Sequence, residues 1–234
     1  MMTKIKEKAD FKVSLADPLF FSLQGEGATI GRPSVFIRLM GCSVGCVWCD
    51  TKYSWSGPPV EEKTIAEILD FCEDHKGAQV VVTGGEPLES SQFPTLIEEL
   101  HGAGLRVEVE TAGHIPPSED ALQRVDQWNV SPKLQSAQIS EDKLPKTLDW
   151  LRRAKEPYLK FVVHRAEELD EVENVLDKYS LGGFPRNRII ISPGGKTREQ
   201  MEHRLFALAE ASMNRSFRFT PRLHVMLWGD KRGV

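Results

Sequence analysis

Cys42, Cys46 and Cys49 fall within the eight residues Cys-Ser-Val-Gly-Cys-Val-Trp-Cys of a 234-residue chain with one further cysteine, Cys72. Thiolates are soft ligands, and three on one short loop can hold a single inorganic centre. Structural zinc ordinarily takes four Cys or His ligands, in two pairs with a long insert between them. No second pair follows here. Cys72 stands at helical spacing from Ile65, Ile68 and Leu69, which reads it as a small core residue rather than a fourth ligand. Three thiolates on a four-iron, four-sulfur cubane leave one iron open to a small molecule, an arrangement suited to catalysis. Val44, Val47 and Trp48, lying between the ligands, are expected to shield such a cluster from water. Structural zinc or a chance grouping of thiols is the other reading of the same residues.

Further polar residues stand at the ends of apolar runs. Arg38 is the only charge in Ser34–Met40 (SVFIRLM), and a cation in a buried strand needs an anionic partner. That partner is either a ligand carboxylate gripped bidentately or an internal acid. In Leu23-Gln24-Gly25-Glu26-Gly27 an amide and a carboxylate match the donor and acceptor edge of a nitrogen heterocycle, or simply form a polar turn. Thr51 reads on its own as a helix N-cap. Glu110 reads as a ribose-hydroxyl acceptor or as a surface residue, and His224, alone in an apolar run, as a core histidine.

The elements that must position these residues alternate. Strand-like runs occur at Ser34–Met40, Gln79–Val82, Leu105–Glu110, Gln127–Val130, Tyr158–Val163, Arg188–Ile191 and Leu223–Trp228, with helical patterns between them. Capping boxes at Thr64/Glu67 and Thr197/Gln200 open two of the helices. The pattern predicts an α/β fold with a parallel sheet, open or barrel-like, and six to seven strands are too few to close an eight-stranded barrel. One domain over 1–234 is expected. Ligands collect at the C-terminal ends of parallel strands. The cysteine loop, Thr83 to Pro87, Thr111 to Gly113, Ser131 to Lys133 and Ser192 to Gly195 all follow such ends. Composition agrees with a small-molecule enzyme. Lys plus Arg is 30 against 34 Asp plus Glu, a net charge of −4, so no cationic excess points to nucleic acid. No run of about 18 apolar residues suggests a membrane span, no signal peptide is evident, and four cysteines, three of them on one loop, are too few and too close for a secreted disulfide scaffold, which places the protein in the reducing cytoplasm.

The spacing of Cys42, Cys46 and Cys49, with an aromatic residue before the last, resembles the signature of radical S-adenosylmethionine (SAM) enzymes. Gly84-Gly85-Glu86-Pro87 resembles the glycine-rich motif with which they hold the SAM amino group. Within that superfamily the chain is similar to the 7-carboxy-7-deazaguanine synthases. The likeness rests on Leu23 to Gly27, Phe36 to Leu39, Cys49-Asp50-Thr51, Val82 to Pro87, Ser131-Pro132-Lys133 and His224 to Gly229, with residues 1–12 as a short N-terminal extension. The resemblance implies a partial, open parallel β/α barrel of the radical SAM type. It also implies a 4Fe-4S cluster on the three cysteines, a 5'-deoxyadenosyl radical, and Mg²⁺ on Thr51. The substrate would be 6-carboxy-5,6,7,8-tetrahydropterin, contracted to 7-carboxy-7-deazaguanine with loss of ammonia, and SAM would be regenerated. Substrate contacts would come from Leu23, Gln24, Gly25, Glu26, Arg38 and Thr83, with His224 and the Val234 carboxylate closing the pocket. SAM would meet Trp48, Cys49, Asp50, Gly85 and Glu86, together with Glu110, Ser131, Pro132 and Lys133. No catalytic side chain beyond the cluster and SAM is implied. An electron donor such as flavodoxin or ferredoxin and a homodimer are implied as partners. An activating enzyme for a glycyl-radical protein fits less well at Gln24 to Gly27 and Arg38, and a zinc-stabilised binding module is the rival from another class.

Overall fold

Side chains of a strand point alternately to its two faces, and in this chain the two faces differ in chemistry. The structure, a computed structural model, describes residues 11–234. In Pro33–Leu39 (β3) Val35, Ile37 and Leu39 join the main apolar core, while Phe36 and Arg38 line a cavity on the other side. Gln79–Gly84 (β5), Val107–Thr111 (β6), Gln127–Val130 (β7) and Glu156–Val163 (β8) repeat the division. Val80, Val82, Val107, Val109, Trp128, Val130, Leu159 and Phe161 pack into the core with the helices. Their neighbours Gln79, Thr83, Glu108, Glu110, Gln127, Asn129 and Lys160 turn the inner face polar. Both faces are covered, as parallel sheets require.

The remaining strands are Lys12–Leu15 (β1), Phe20–Leu23 (β2), Glu61–Thr64 (β4), Ile189–Pro193 (β9) and Arg218–Phe219 (β10). They form one ten-stranded sheet in the order β10-β9-β8-β7-β6-β5-β3-β1-β4, with β2 also paired to β3. From β3 through β10 the neighbouring pairs on this path are parallel, with Leu39 opposite Gly84 and Val163 opposite Pro193. The antiparallel β1, β2 and β4 extend the other flank. β4 and β10 are the two ends of the path and do not pair, so the barrel is open as expected.

Four short strands escape the sequence pattern. β4 reads Glu-Glu-Lys-Thr and lies at an edge, where charges guard against further pairing and mask the alternation that marks buried strands. β1, β2 and β10 are four, four and two residues long, too short for a periodicity to declare itself. One expected strand is a helix: Leu223–Trp228 closes with Gly229 N–H donating to the Val225 carbonyl at 2.9 Å. A run of five apolar residues and one histidine does not distinguish the two by period alone. Most of the expected extension lies outside the described residues, and its last residue belongs to the fold, since Lys12 pairs with Thr64.

Of the two expected capping boxes the first forms in full and the second only in half. Thr64 accepts from Glu67 N at 3.3 Å and donates its own N–H to the Glu67 carboxylate at 2.8 Å, opening the helix Ile65–Asp74 that buries Ile65, Ile68 and Cys72. At the helix Arg198–Asn214, Thr197 caps Gln200 N at 3.2 Å, and the Gln200 side chain accepts from Lys196 N at 2.8 Å, one residue before the cap.

Candidate active site

β3 runs directly into the cysteine loop, and two neighbouring loops hold that loop in place. Gly41 N donates to the Ser54 carbonyl at 2.8 Å and Cys42 N to that of Trp55 at 3.1 Å. From the end of β5, Glu86 N donates to the Gly41 carbonyl at 2.8 Å. Gly85 makes this approach possible: a Cβ there would lie 2.0 Å from the Gly41 oxygen and 2.8 Å from the Cys42 Cβ. The Gly-Gly pair therefore does more than turn the chain. It lets the β5 loop lie against the cysteines.

Cys42, Cys46 and Cys49 all line one cavity of about 510 Å³ at the C-terminal ends of the parallel strands. Burial pushes the Cys42 thiol up to about 11 and raises that of Cys46 as well, so binding iron must displace protons. Among the described residues no three His, Cys, Asp or Glu side chains converge closely enough to hold one metal ion. Cys42, Cys46 and Cys49 are the residues that would hold the cluster. Val44 and Cys46 pack with Ala112 and Ala137 in a small apolar cluster joined by Trp48. Val47 is 45% exposed and so shields nothing, because its N–H is turned inward to the Ala137 carbonyl and its side chain outward.

Every other expected site residue except Pro132 lines the same cavity. Thr51 stands at the N-cap of the short 3₁₀ turn Lys52–Ser54, yet its hydroxyl makes no capping bond and lies 3.5 Å from the Cys49 sulfur. Trp48 sets its ring 5.7 Å from that of His164 and under the Lys133 ammonium at 5.7 Å, and Lys133 also donates to the Ser131 hydroxyl at 3.2 Å. The Glu86 carboxylate accepts from the Thr111 hydroxyl at 2.5 Å, Ala112 N at 2.7 Å and Leu88 N at 3.2 Å. It fastens β5 to β6.

On the opposite wall, Arg38 Nε lies 3.1 Å from Asp17, so the internal ion pair exists while the rest of the guanidinium faces the cavity. Asp17 also accepts from the Tyr53 hydroxyl at 2.5 Å and from Arg232 at 2.6 Å. Gln24 donates its amide to Glu108 at 2.6 Å and Glu110 at 3.2 Å. Thr83 donates to Glu110 at 2.9 Å. Glu110 is thus half-buried among the residues expected to meet substrate, not on the surface. Glu26 pairs with Lys160 at 2.5 Å and Arg222 at 2.6 Å. Burial opposes its charge, but these two cations hold its pKa well below the ordinary carboxylate value. His224 lies 3.9 Å from Glu26 and has its pKa lowered, first by burial. Gly25 makes room for it, since a Cβ there would come within 1.9 Å of the imidazole. Val234 is on the cavity wall.

The family model for the radical SAM superfamily matches residues 37–208. A 7-carboxy-7-deazaguanine synthase of Pyrobaculum aerophilum is 39% identical over 218 residues, 92% of this chain and 95% of that one. One of Halobacterium salinarum is 33% identical, covering 91% and 89%. The chain belongs to the 7-carboxy-7-deazaguanine synthase family of radical SAM enzymes. The crystal structure of QueE from Escherichia coli, at 24% identity, superposes with a TM-score of 0.68 over 94% of this chain and 98% of that one, which supports the fold. For this member of the synthase family, cluster and SAM are the resident cofactors, and the substrate is a small molecule acted on with an external reductant.

Sequence reasoning missed Asp17, Lys160, Glu108 and Arg222. Lys160 had the same signal as Arg38, a lone charge in the apolar run Tyr-Leu-Lys-Phe-Val-Val. Glu108 was visible as the inner-face partner of Glu110 in Val-Glu-Val-Glu. Asp17 and Arg222 lie in irregular segments, where no period marks the inward side.

Proposed function

We propose that this enzyme converts 6-carboxy-5,6,7,8-tetrahydropterin to 7-carboxy-7-deazaguanine with release of ammonia. The supporting observation is the joining of a three-thiolate loop to a polar pocket containing Arg38, Gln24, Glu26 and Thr83, in a chain with 39% identity to a synthase of that name. Loss of ammonia alone accounts for the change in atoms, so no net oxidant is consumed. The bound cluster and SAM supply the carbon radical that starts the rearrangement.

The protein's own part is to bind, orient and exclude water. Arg38 offers guanidinium donors to the substrate carboxylate, the bidentate geometry that fixes a planar acid. With its amide donors committed to Glu108 and Glu110, Gln24 offers the heterocycle an acceptor, while the carboxylates of Glu26 and Glu110 accept from its N–H groups. His224 and Val234 close this side. Trp48, Asp50, Gly85 and Ser131 to Lys133 surround SAM, with Trp48 supplying an aromatic face. Thr51 contributes one oxygen to Mg²⁺, which keeps waters and takes the rest from substrate. We place the enzyme in the reducing cytoplasm as a one-domain homodimer supplied with electrons by a flavodoxin or ferredoxin.

Anaerobic incubation of the reconstituted protein with SAM, dithionite, Mg²⁺ and the carboxypterin tests the reading. The deazaguanine product, identified by mass spectrometry, should accumulate beyond one equivalent of SAM. SAM cleavage to 5'-deoxyadenosine without that product would overturn the assignment of substrate and retain the family chemistry.

A further inference from the structure

The charges around Glu26 come from stretches of chain far apart in sequence. Arg222 is 9% exposed and stands just before the helix Leu223–Trp228. Its Nε donates to Glu26 at 2.6 Å, its Nη1 to the Gly195 carbonyl at 2.5 Å, and its Nη2 to Asp50. One planar guanidinium therefore ties together the loop after β2, the end of the cysteine loop and the loop after β9. Leu223 N adds a bond to the Gly25 carbonyl at 2.8 Å, which fixes the base of Arg222 to the same loop. Glu26 and Asp50 are close enough to repel each other, and Arg222 is the cation shared between them.

We propose that Arg222 is a positioning residue that couples the two ligand sites. This rests on the function proposed above, in which Glu26 meets the pterin and Asp50 meets SAM. With the guanidinium spanning both carboxylates, the two loops are ordered together. The first ligand to bind then fixes the second ligand's loop, and the second no longer bears that ordering cost. Coupling of this kind is reciprocal between the two ligands. A lysine keeps the charge but lacks the rigid fork that reaches three acceptors at once.

The test measures binding without turnover. With the cluster reconstituted and no reductant present, the SAM dissociation constant is determined by anaerobic equilibrium dialysis, with and without saturating carboxypterin. The comparison covers wild type, Arg222→Lys and Arg222→Gln, with iron content and circular dichroism checking the fold of each. In wild type the pterin should tighten SAM about tenfold, within the usual range of site coupling. In either variant the ratio should fall below about twofold. A merely structural defect weakens SAM equally with and without pterin and leaves the ratio unchanged. Two folded variants that keep the wild-type ratio, or a wild type that binds the ligands independently, would overturn the proposal. A wild type that binds SAM but no pterin overturns the assignment of substrate, and this coupling with it.

Discussion

Glu108 shows how far a buried side chain departs from its ordinary chemistry. It is fully buried on the inner face of β6 and accepts from Gln24 at 2.6 Å, Asn129 at 2.6 Å, Gln127 at 3.0 Å and Gln79 at 3.1 Å, and from the Thr29 hydroxyl. Burial, reinforced by the charge on Glu110, nevertheless pushes its pKa up from 4.5 to about 7. A folded pKa above the unfolded one means that the contribution to stability is complete below about pH 4.5 and is lost as pH rises through 7. A shift of that size corresponds to roughly 3 kcal/mol. Urea unfolding at about pH 5 and about pH 8 should show wild type losing on the order of 3 kcal/mol more than Glu108→Gln over that interval. The variant is less stable at acid pH, because its new NH₂ faces donors. Parallel pH profiles for the two proteins would refute the role given to Glu108.

At the scale of elements, the site depends on how closely loops approach rather than on the helices that brace them. Gly85 carries the argument, since any Cβ must displace the Gly41 carbonyl 2.0 Å away. Gly85→Ala should therefore fold but lose most of its iron on reconstitution, because the β5 loop must lift off the cysteines. Thr64→Ala supplies the control. It removes one half of a capping box on the helix Ile65–Asp74, should cost about 1 kcal/mol of stability, and should leave iron content alone. Equal iron loss in both would mean that general destabilisation, not loop approach, governs cluster assembly. Much at this scale was legible beforehand. The parallel strands alternate Val, Ile and Leu against inner residues, and the Thr64/Glu67 capping box is plain in the sequence, whereas at Thr197 the Gln200 side chain takes the N–H one residue before the cap. Leu223–Trp228 was not, since five apolar residues and one histidine satisfy either period, and in the fold this segment is a helix that sets His224 against Gly25.

In the whole molecule the cysteine loop stands apart from the main core. That core runs from Val13 to Phe217 across both the sheet and the helices, and the loop residues Val44 and Cys46 belong to a separate small cluster. Removing iron should therefore empty the loop without unfolding the chain, unlike a zinc finger, which has no core of its own. After chelation, far-UV circular dichroism should be retained and thermal unfolding should remain one cooperative transition. A loss of helical signal on chelation would show that the cluster organises the sheet as well.

The chemistry of the site was readable from the chain alone because it rests on local spacing. Three thiolates within eight residues, two glycines after a strand and a lone arginine in an apolar run each carry their meaning in a few neighbouring positions. The family resemblance and the open barrel followed from the same local marks. What the tertiary structure decided is which charges meet. Arg222 is 196 positions from Glu26 and 172 from Asp50, and Lys160 is 134 from Glu26. No period relates such residues. Their pairing arises because the sheet brings the strand ends to one rim, and burial there leaves each charge no stable state except beside its opposite.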